Sequence, residues 1–174
     1  MSEIDALLAA NERYSAEEHR RDVARRPLRE LVVVTCMDSR IDTFGLLGLQ
    51  LGDANILRNA GGRVTDDVLR SLAVSTTLLG TSEVLVIHHT GCGLSGTTDD
   101  DVRAACAAAG LDAEGVEFLA FDDLEQSVRE DVERLRTSPL VPPRVTVSGW
   151  IFDVQTGALR GVVAPAPAGV PGRG

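Results

Sequence analysis

Leu31-Val32-Val33-Val34-Thr35-Cys36-Met37-Asp38-Ser39-Arg40 is the stretch whose reading decides the fold. Its first four residues are an unbroken, largely β-branched apolar run, the pattern of a strand buried on both faces, as in a parallel sheet. The run stops abruptly at Cys36, Asp38 and Arg40, three chemically active side chains at alternate positions. In open α/β sheets, chemistry gathers at the carboxyl ends of the strands. A second apolar run, Val84-Leu85-Val86-Ile87, ends in the same manner, in His88-His89-Thr90-Gly91-Cys92. Two buried strands that each deliver soft metal ligands at their ends point to one shared metal site.

Outward from these strands, the chain alternates helix and strand. Residues 4–26 predict a helix with a sparse apolar stripe (Ile4, Leu7, Leu8, Tyr14) that Pro27 ends, so it reads as an arm lying on another surface. Asp42 predicts the N-cap of a short helix over residues 43–50, which Gly45 and Gly48 weaken. A short strand over residues 55–58 runs into Asn59-Ala60-Gly61-Gly62, and Thr65 caps a helix over residues 66–79 that Gly80 stops. Residues 83–88 are the next strand. The acids Asp99, Asp100 and Asp101 open an alanine-rich helix reaching Gly110, where their charge suits a helix N-terminus. Cys106 on that helix reads as a buried core thiol. Residues 114–120 hold a candidate strand, and residues 122–136 a charged helix with Leu124, Val128, Val132 and Leu135 on one face. After Pro142-Pro143, residues 145–154 and 158–163 flank Gln155-Thr156-Gly157 as a hairpin.

The expected fold is therefore α/β: a mostly parallel central sheet with crossover helices, an antiparallel C-terminal edge hairpin and an N-terminal helical arm. Residues 1–163 form one expected domain, with residues 1–27 as the arm. Residues 164–174, rich in Ala, Pro, Gly and Arg, read as a disordered tail.

Composition narrows the function. The chain has 174 residues, 44% of them hydrophobic, enough for a single domain with a real core. A net charge of -9 argues against a nucleic-acid partner, which needs a basic footprint. All 17 basic residues are Arg, which removes a Lys Schiff base or a P-loop Lys from consideration. No apolar run approaches the roughly 20 residues of a membrane span. The N-terminus lacks the basic and apolar regions of a secretory signal, so a cytoplasmic protein is expected. The odd cysteine count favours thiols over disulfides.

Cys36, Asp38, His89 and Cys92 together offer two sulfurs, one nitrogen and one oxygen, a set that suits zinc and not magnesium or calcium. On an extended segment Cys36 and Asp38 can point the same way, and Gly91 lets the loop bring Cys92 round toward His89. Asp38 has two readings. It is either a fourth ligand, which would close the site, or a carboxylate gripped by Arg40 and kept ionised, which leaves the fourth position to water. Arg40 could instead pair with Asp42 or a surface acid. His88, beside His89 on a strand, is expected to point to the opposite face. Asn59, Gly61 and Gly62 read equally as one wall of a substrate pocket or as a simple turn.

Cys36-x-Asp38-x-Arg40 with His89-x-x-Cys92 resembles the zinc signature of the β-class carbonic anhydrases. The likeness runs on through Arg58-Asn59-Ala60-Gly61-Gly62, Thr65-Asp66-Asp67-Val68, Arg70-Ser71-Leu72, His88-His89-Thr90-Gly91-Cys92-Gly93 and Gly149-x-x-x-Asp153-x-x-Thr156-Gly157, covering residues 28–163. The short length and the His-His-Thr sequence resemble a compact actinobacterial branch. The resemblance implies one Zn²⁺ per chain on Cys36, His89 and Cys92, and a catalytic dyad of Asp38 and Arg40. Asp38 would bind zinc in a closed state and pair with Arg40 in an open one. It also implies a homodimer, with the N-terminal helix across the partner, that hydrates CO2 reversibly to bicarbonate and a proton through attack of zinc-bound hydroxide. Hydrolysis of carbonyl sulfide or carbon disulfide on the same fold, and a non-catalytic zinc protein with Asp38 permanently ligating, are the alternatives.

Overall fold

A computed structural model describes residues 2–169. Helix α1 (Glu3–Arg13) is capped by Ser2 and continues as a wider π-type turn over Tyr14–Glu18. Strand β1 (Leu31–Cys36), helix α2 (Thr43–Leu47), strand β2 (Ala54–Asn59), a 3-10 turn (Ala60–Gly62), helix α3 (Asp66–Leu78) and strand β3 (Glu83–His89) follow. Helices α4 (Asp99–Ala108) and α5 (Leu124–Thr137) precede the final strands β4 (Thr146–Phe152) and β5 (Leu159–Pro167). The five-stranded sheet has the order β2-β1-β3-β4-β5. Every pairing is parallel except β4 with β5, the antiparallel edge that the sequence predicts.

All six residues of β1 are buried, so the sheet is covered on both faces. One face carries Val32, Val34, Val84 and Val86 against Leu72 of α3 and Val128, Val132 and Leu135 of α5. Each such side chain, fully removed from water, contributes roughly 1.5–3 kcal/mol. The other face gathers Leu31, Val33 and Ile87 with Ile41, Leu49, Phe121, Cys36 and Cys92. Two helix N-caps fall at the expected residues: Asp42 accepts from the Gly45 amide and Thr65 from that of Val68. The last helix starts at Leu124, later than the expected residue 122, because the Asp123 carboxylate accepts from the Gln126 amide and caps it there.

Four local expectations are corrected. The arm is helical only to Glu18: residues 19–22 are an uninterrupted polar run, His19-Arg20-Arg21-Asp22, in which Arg20 grips Asp22. From there the chain lies against the body without helix, with Val23 half-buried, Pro27 buried, and Arg26 donating to the Gly80 carbonyl. Residues 114–120 form no strand, because the Phe118 and Ala120 amides are taken by the Asp99 carboxylate (2.8 and 2.9 Å) instead of a neighbouring strand. These hydrogen bonds, that of Ala120 foremost, hold the Asp99 pKa below its usual value. Cys106 is only half-buried, since α4 lies on the surface and buries no residue completely. The final strand runs to Pro167, and Ala168 is buried beside the core, so order extends beyond residue 163; residues 170–174 lie outside the described part. No helix among the described residues is long and apolar enough to cross a membrane.

Charge is also buried against α5. His88 donates or accepts through both ring nitrogens, Nδ1 with Ser127 Oγ (2.9 Å) and Nε2 with Asp131 Oδ2 (3.0 Å). Asp131 Oδ2 also accepts from Arg63 Nε at 2.8 Å, and Arg63 Nη1 donates to the Leu119 carbonyl at 2.7 Å. Removing one member of such a network leaves an uncompensated buried charge, whereas an exposed pair such as Arg70 with Asp67 contributes little. Asp131→Ala is expected to lower the unfolding free energy by about 3–5 kcal/mol, read from urea titration, while Asp67→Ala leaves the midpoint unmoved.

Candidate metal centre

Because β1 and β3 run side by side and parallel, with Thr35 opposite Ile87, their carboxyl ends lie at one edge of the sheet. Alternation along β3 sends His88 toward α5 and His89 to the opposite face. There Cys36, His89 and Cys92, all buried, bring their ligand atoms within 4.8 Å of one another. Gly91 makes the turn between them at φ +64°, in the left-handed region that favours glycine. Thr90 pins this turn to the end of β4: its amide donates to the Phe152 carbonyl (3.0 Å), and its hydroxyl accepts from the Val154 amide (3.1 Å).

The protonation of His89 follows from its partners. Nδ1 lies 3.0 Å from the Thr90 carbonyl, which can only accept, so Nδ1 carries the proton. Nε2 is then a lone-pair donor, and it is buried with no hydrogen-bond partner. Burial also lowers the His89 pKa, keeping the ring neutral. Burial pushes the Cys92 thiol up, and the neighbouring Cys36 adds to that. An orphaned imidazole nitrogen beside two buried thiols is costly by itself and fits a thiophilic cation, which Cys36 and Cys92 would hold as thiolates and His89 through Nε2. Zinc suits this donor set.

Asp38, the fourth member of the predicted set, stands outside the group. Its carboxylate accepts from Arg40 at three points: Nε to Oδ1 (2.9 Å), Nη2 to Oδ2 (2.6 Å) and the backbone amide to Oδ1 (2.9 Å). The side-chain hydrogen bonds from Arg40, foremost, hold the Asp38 pKa far below the usual carboxylate range. Oδ2 lies 3.8 Å from His89 Nε2, near the group without joining it. Arg40 is thereby committed to Asp38 rather than to Asp42, and its Nη2 reaches across to the Gly91 carbonyl at 2.9 Å. One guanidinium thus ties the Cys36 loop to the Cys92 loop.

The chain matches the carbonic anhydrase family model over residues 31–110. It is 38% identical over 166 residues to "Beta-carbonic anhydrase 1" of Mycobacterium tuberculosis, covering 93% of this chain and 99% of that protein. The chain is a member of the β-carbonic anhydrase family. A carbonic anhydrase structure from Streptococcus mutans shares 47% identity at a TM-score of 0.87, over 93% of this chain and 98% of that one. A relative from Acidithiobacillus thiooxidans, 34% identical over 83% of this chain and 85% of that protein, is a carbon disulfide hydrolase.

Within this β-carbonic anhydrase, the residues predicted to wall a pocket divide. Asn59 lines a cavity of about 280 Å³ together with Arg58, Arg63, Thr65 and Phe118, but Gly61, Gly62 and the three metal-group residues do not. Gly62 instead permits close approach to β1, where a Cβ would lie 2.8 Å from the Cys36 nitrogen. Asn59 Nδ2 closes the same loop by donating to the Arg63 carbonyl at 2.8 Å. Two residues escaped the sequence reading as participants: Thr90, which anchors the ligand loop, and Arg58, whose guanidinium reaches the Cys36 and Asp38 carbonyls. Arg58 carried a signal, a charge closing the otherwise apolar run Ile56-Leu57. Protein produced with zinc is expected to retain about one equivalent per chain by elemental analysis, and His89→Ala or Cys92→Ser to lose most of it with an unchanged circular dichroism spectrum.

Proposed function

We propose that this protein catalyses the reversible hydration of CO2 to bicarbonate and a proton, with zinc held by Cys36, His89 and Cys92. The observation that carries the reading is the buried, unpartnered His89 Nε2 between two thiols, beside an aspartate that Arg40 holds clear of them. When bound, zinc brings the pKa of a coordinated water from 15.7 to about 7. The rest falls to the chain. His89 stays neutral and correctly oriented because Thr90 takes its Nδ1 proton. Asp38 remains a carboxylate throughout the neutral range and can accept a hydrogen bond from the attacking water, fixing which way its lone pair faces. Arg40 prevents Asp38 from swinging into the donor set and so keeps a position open, which favours catalysis over a purely structural metal. His88 has both nitrogens engaged and does not serve as a proton relay; the outgoing proton is assigned to solvent or buffer.

A second reading is supported by the carbon disulfide hydrolases among the relatives, including one from Acidianus at 35% identity over 76% of both chains. Carbon disulfide is linear and isoelectronic in its valence shell with CO2, so the same donor set and dyad would serve. Assays of CO2 hydration and of sulfide release on one zinc-loaded preparation separate the two. Asp38→Asn is expected to retain zinc and to lose about a hundredfold in CO2 hydration, by stopped-flow indicator assay. A zinc-loaded wild type inactive on CO2 from mildly acid to mildly alkaline pH would overturn the proposal.

The reading includes a homodimer in the cytoplasm, where Cys36, Cys92 and Cys106, none of them in a disulfide, would stay reduced. Its support is α1, which buries nothing and leaves Ile4, Leu7 and Leu8 exposed at 68%, 61% and 60%. Such a face needs a covering surface, and a second copy supplies one. Leu7→Glu combined with Leu8→Glu is expected to shift the protein from dimer to monomer in sedimentation velocity.

A further inference from the structure

The segment joining Cys36 to Asp38 has little packing of its own. Met37, between them, is 66% exposed, so no apolar side chain anchors the link. Its path is set by polar ties. The Met37 amide donates to the Asn59 carbonyl at 2.8 Å, the last main-chain bond between this segment and β2. Beyond it β2 turns away into Ala60–Gly62, and the guanidinium of Arg58 takes over: Nε donates to the Cys36 carbonyl (2.9 Å) and Nη2 to the Asp38 carbonyl (2.6 Å). The Asp38 carbonyl also accepts from the Ile41 amide at 3.1 Å, which begins the turn toward α2.

A guanidinium is a rigid planar fork, so two of its donors fix the separation and direction of the two acceptors they hold. Here the acceptors flank Met37, and holding them sets the direction in which the Cys36 thiol and the Asp38 carboxylate leave the backbone. Arg40 acts on the Asp38 side chain; Arg58 acts on the main chain beneath it. We infer that Arg58 is a positioning residue of the metal centre, clamping the Cys36 and Asp38 carbonyls so that one turn presents a metal ligand and the dyad carboxylate in fixed relation, without touching metal or substrate. The inference rests on Cys36, His89 and Cys92 holding a metal, as proposed above.

Two variants test it. Arg58→Met keeps the aliphatic stem and removes every donor; Arg58→Lys keeps the charge but not the fork. Readouts are zinc affinity by competition with a chromophoric chelator, the absorption bands of the cobalt-substituted protein, the melting temperature of the metal-free protein, and CO2 hydration. Arg58→Met is expected to weaken zinc about 10–100-fold and to alter the cobalt spectrum, while the metal-free melting temperature stays near wild type. Arg58→Lys should recover only part of that affinity. Unchanged affinity and spectrum in both variants would overturn the inference. So would full recovery by Lys, which would assign the effect to charge, or a metal-free melting temperature that falls in step with affinity, which would mark a general structural role. Should Arg58→Met not fold, the Lys variant decides by the same criteria. Affinity and spectrum do not depend on the substrate, so a wild type inactive on CO2 would sink the proposed function and leave this test standing.

Discussion

Everything at the metal centre depends on the parallel register of β1 against β3. With Thr35 opposite Ile87, the two strands end within one residue of each other, and Cys36, His89 and the nearby Cys92 meet over one face of the sheet. A slip of one residue would exchange the faces of His88 and His89, placing the ligand imidazole under α5 and the buried network over the thiols. Several features resist that slip. Val32, Val33, Val34, Val84, Val86 and Ile87 are all fully buried, so both faces of both strands are committed. Thr35 Oγ1 donates across the pair to the Ile87 carbonyl at 2.8 Å, just below the centre.

The opposite face contributes through charge. Arg63, Asp131 and His88 form a buried chain, and the guanidinium of Arg63 lies 5.5 Å from the centre of the Phe121 ring. Phe121 packs in the same cluster as Cys36 and Cys92, and its amide donates to the Leu94 carbonyl just past the ligand loop. The segment over residues 118–121 is therefore held from three sides: by Arg63 at the Leu119 carbonyl, by Asp99 at the Phe118 and Ala120 amides, and by Leu94 at Phe121. What the sequence presents as a candidate strand and a charged helix is a buttress behind the thiols.

The buried parallel strands are legible because a continuous β-branched run has few other uses, and the meeting of Cys36, His89 and Cys92 because soft donors at two strand ends are rare by accident. Two helix starts are legible because Asp42 and Thr65 can each satisfy an amide from their own side chain. Long-range polar contacts were not. Nothing local in residues 114–120 reveals that their amides are spoken for by Asp99, and an alternating apolar pattern there mimics a strand. Sequence alone extends the helical arm too far because a charged segment such as residues 19–26 has adequate helix propensity; what it lacks is an apolar face to dock, so an extended path held by Val23 and Arg26 prevails. The state of Asp38 was open for a related reason. Spacing permits both a ligand and an Arg-held carboxylate, and only the three hydrogen bonds from Arg40 distinguish them.

The dependence on arginine has a chemical logic that lysine could not supply. Arg40 meets both oxygens of Asp38 and still reaches a carbonyl on the other loop; Arg58 holds two carbonyls; Arg63 joins a carboxylate and a carbonyl. Each tie uses separated donors on one planar group, where an ammonium offers a single point. The same choice balances charge. In the proposed site two thiolates neutralise a divalent cation, and Asp38 is neutralised by Arg40, leaving the centre close to neutral overall. A neutral centre attracts a neutral linear substrate without penalty and holds an anionic product only weakly. A protein with net charge -9 then hastens that product's departure rather than trapping it. In the proposed reaction the Asp38–Arg40 pair would have a second use beside holding the carboxylate clear of the donor set: by cancelling its own charge, it would let a carboxylate stand beside the metal without repelling bicarbonate.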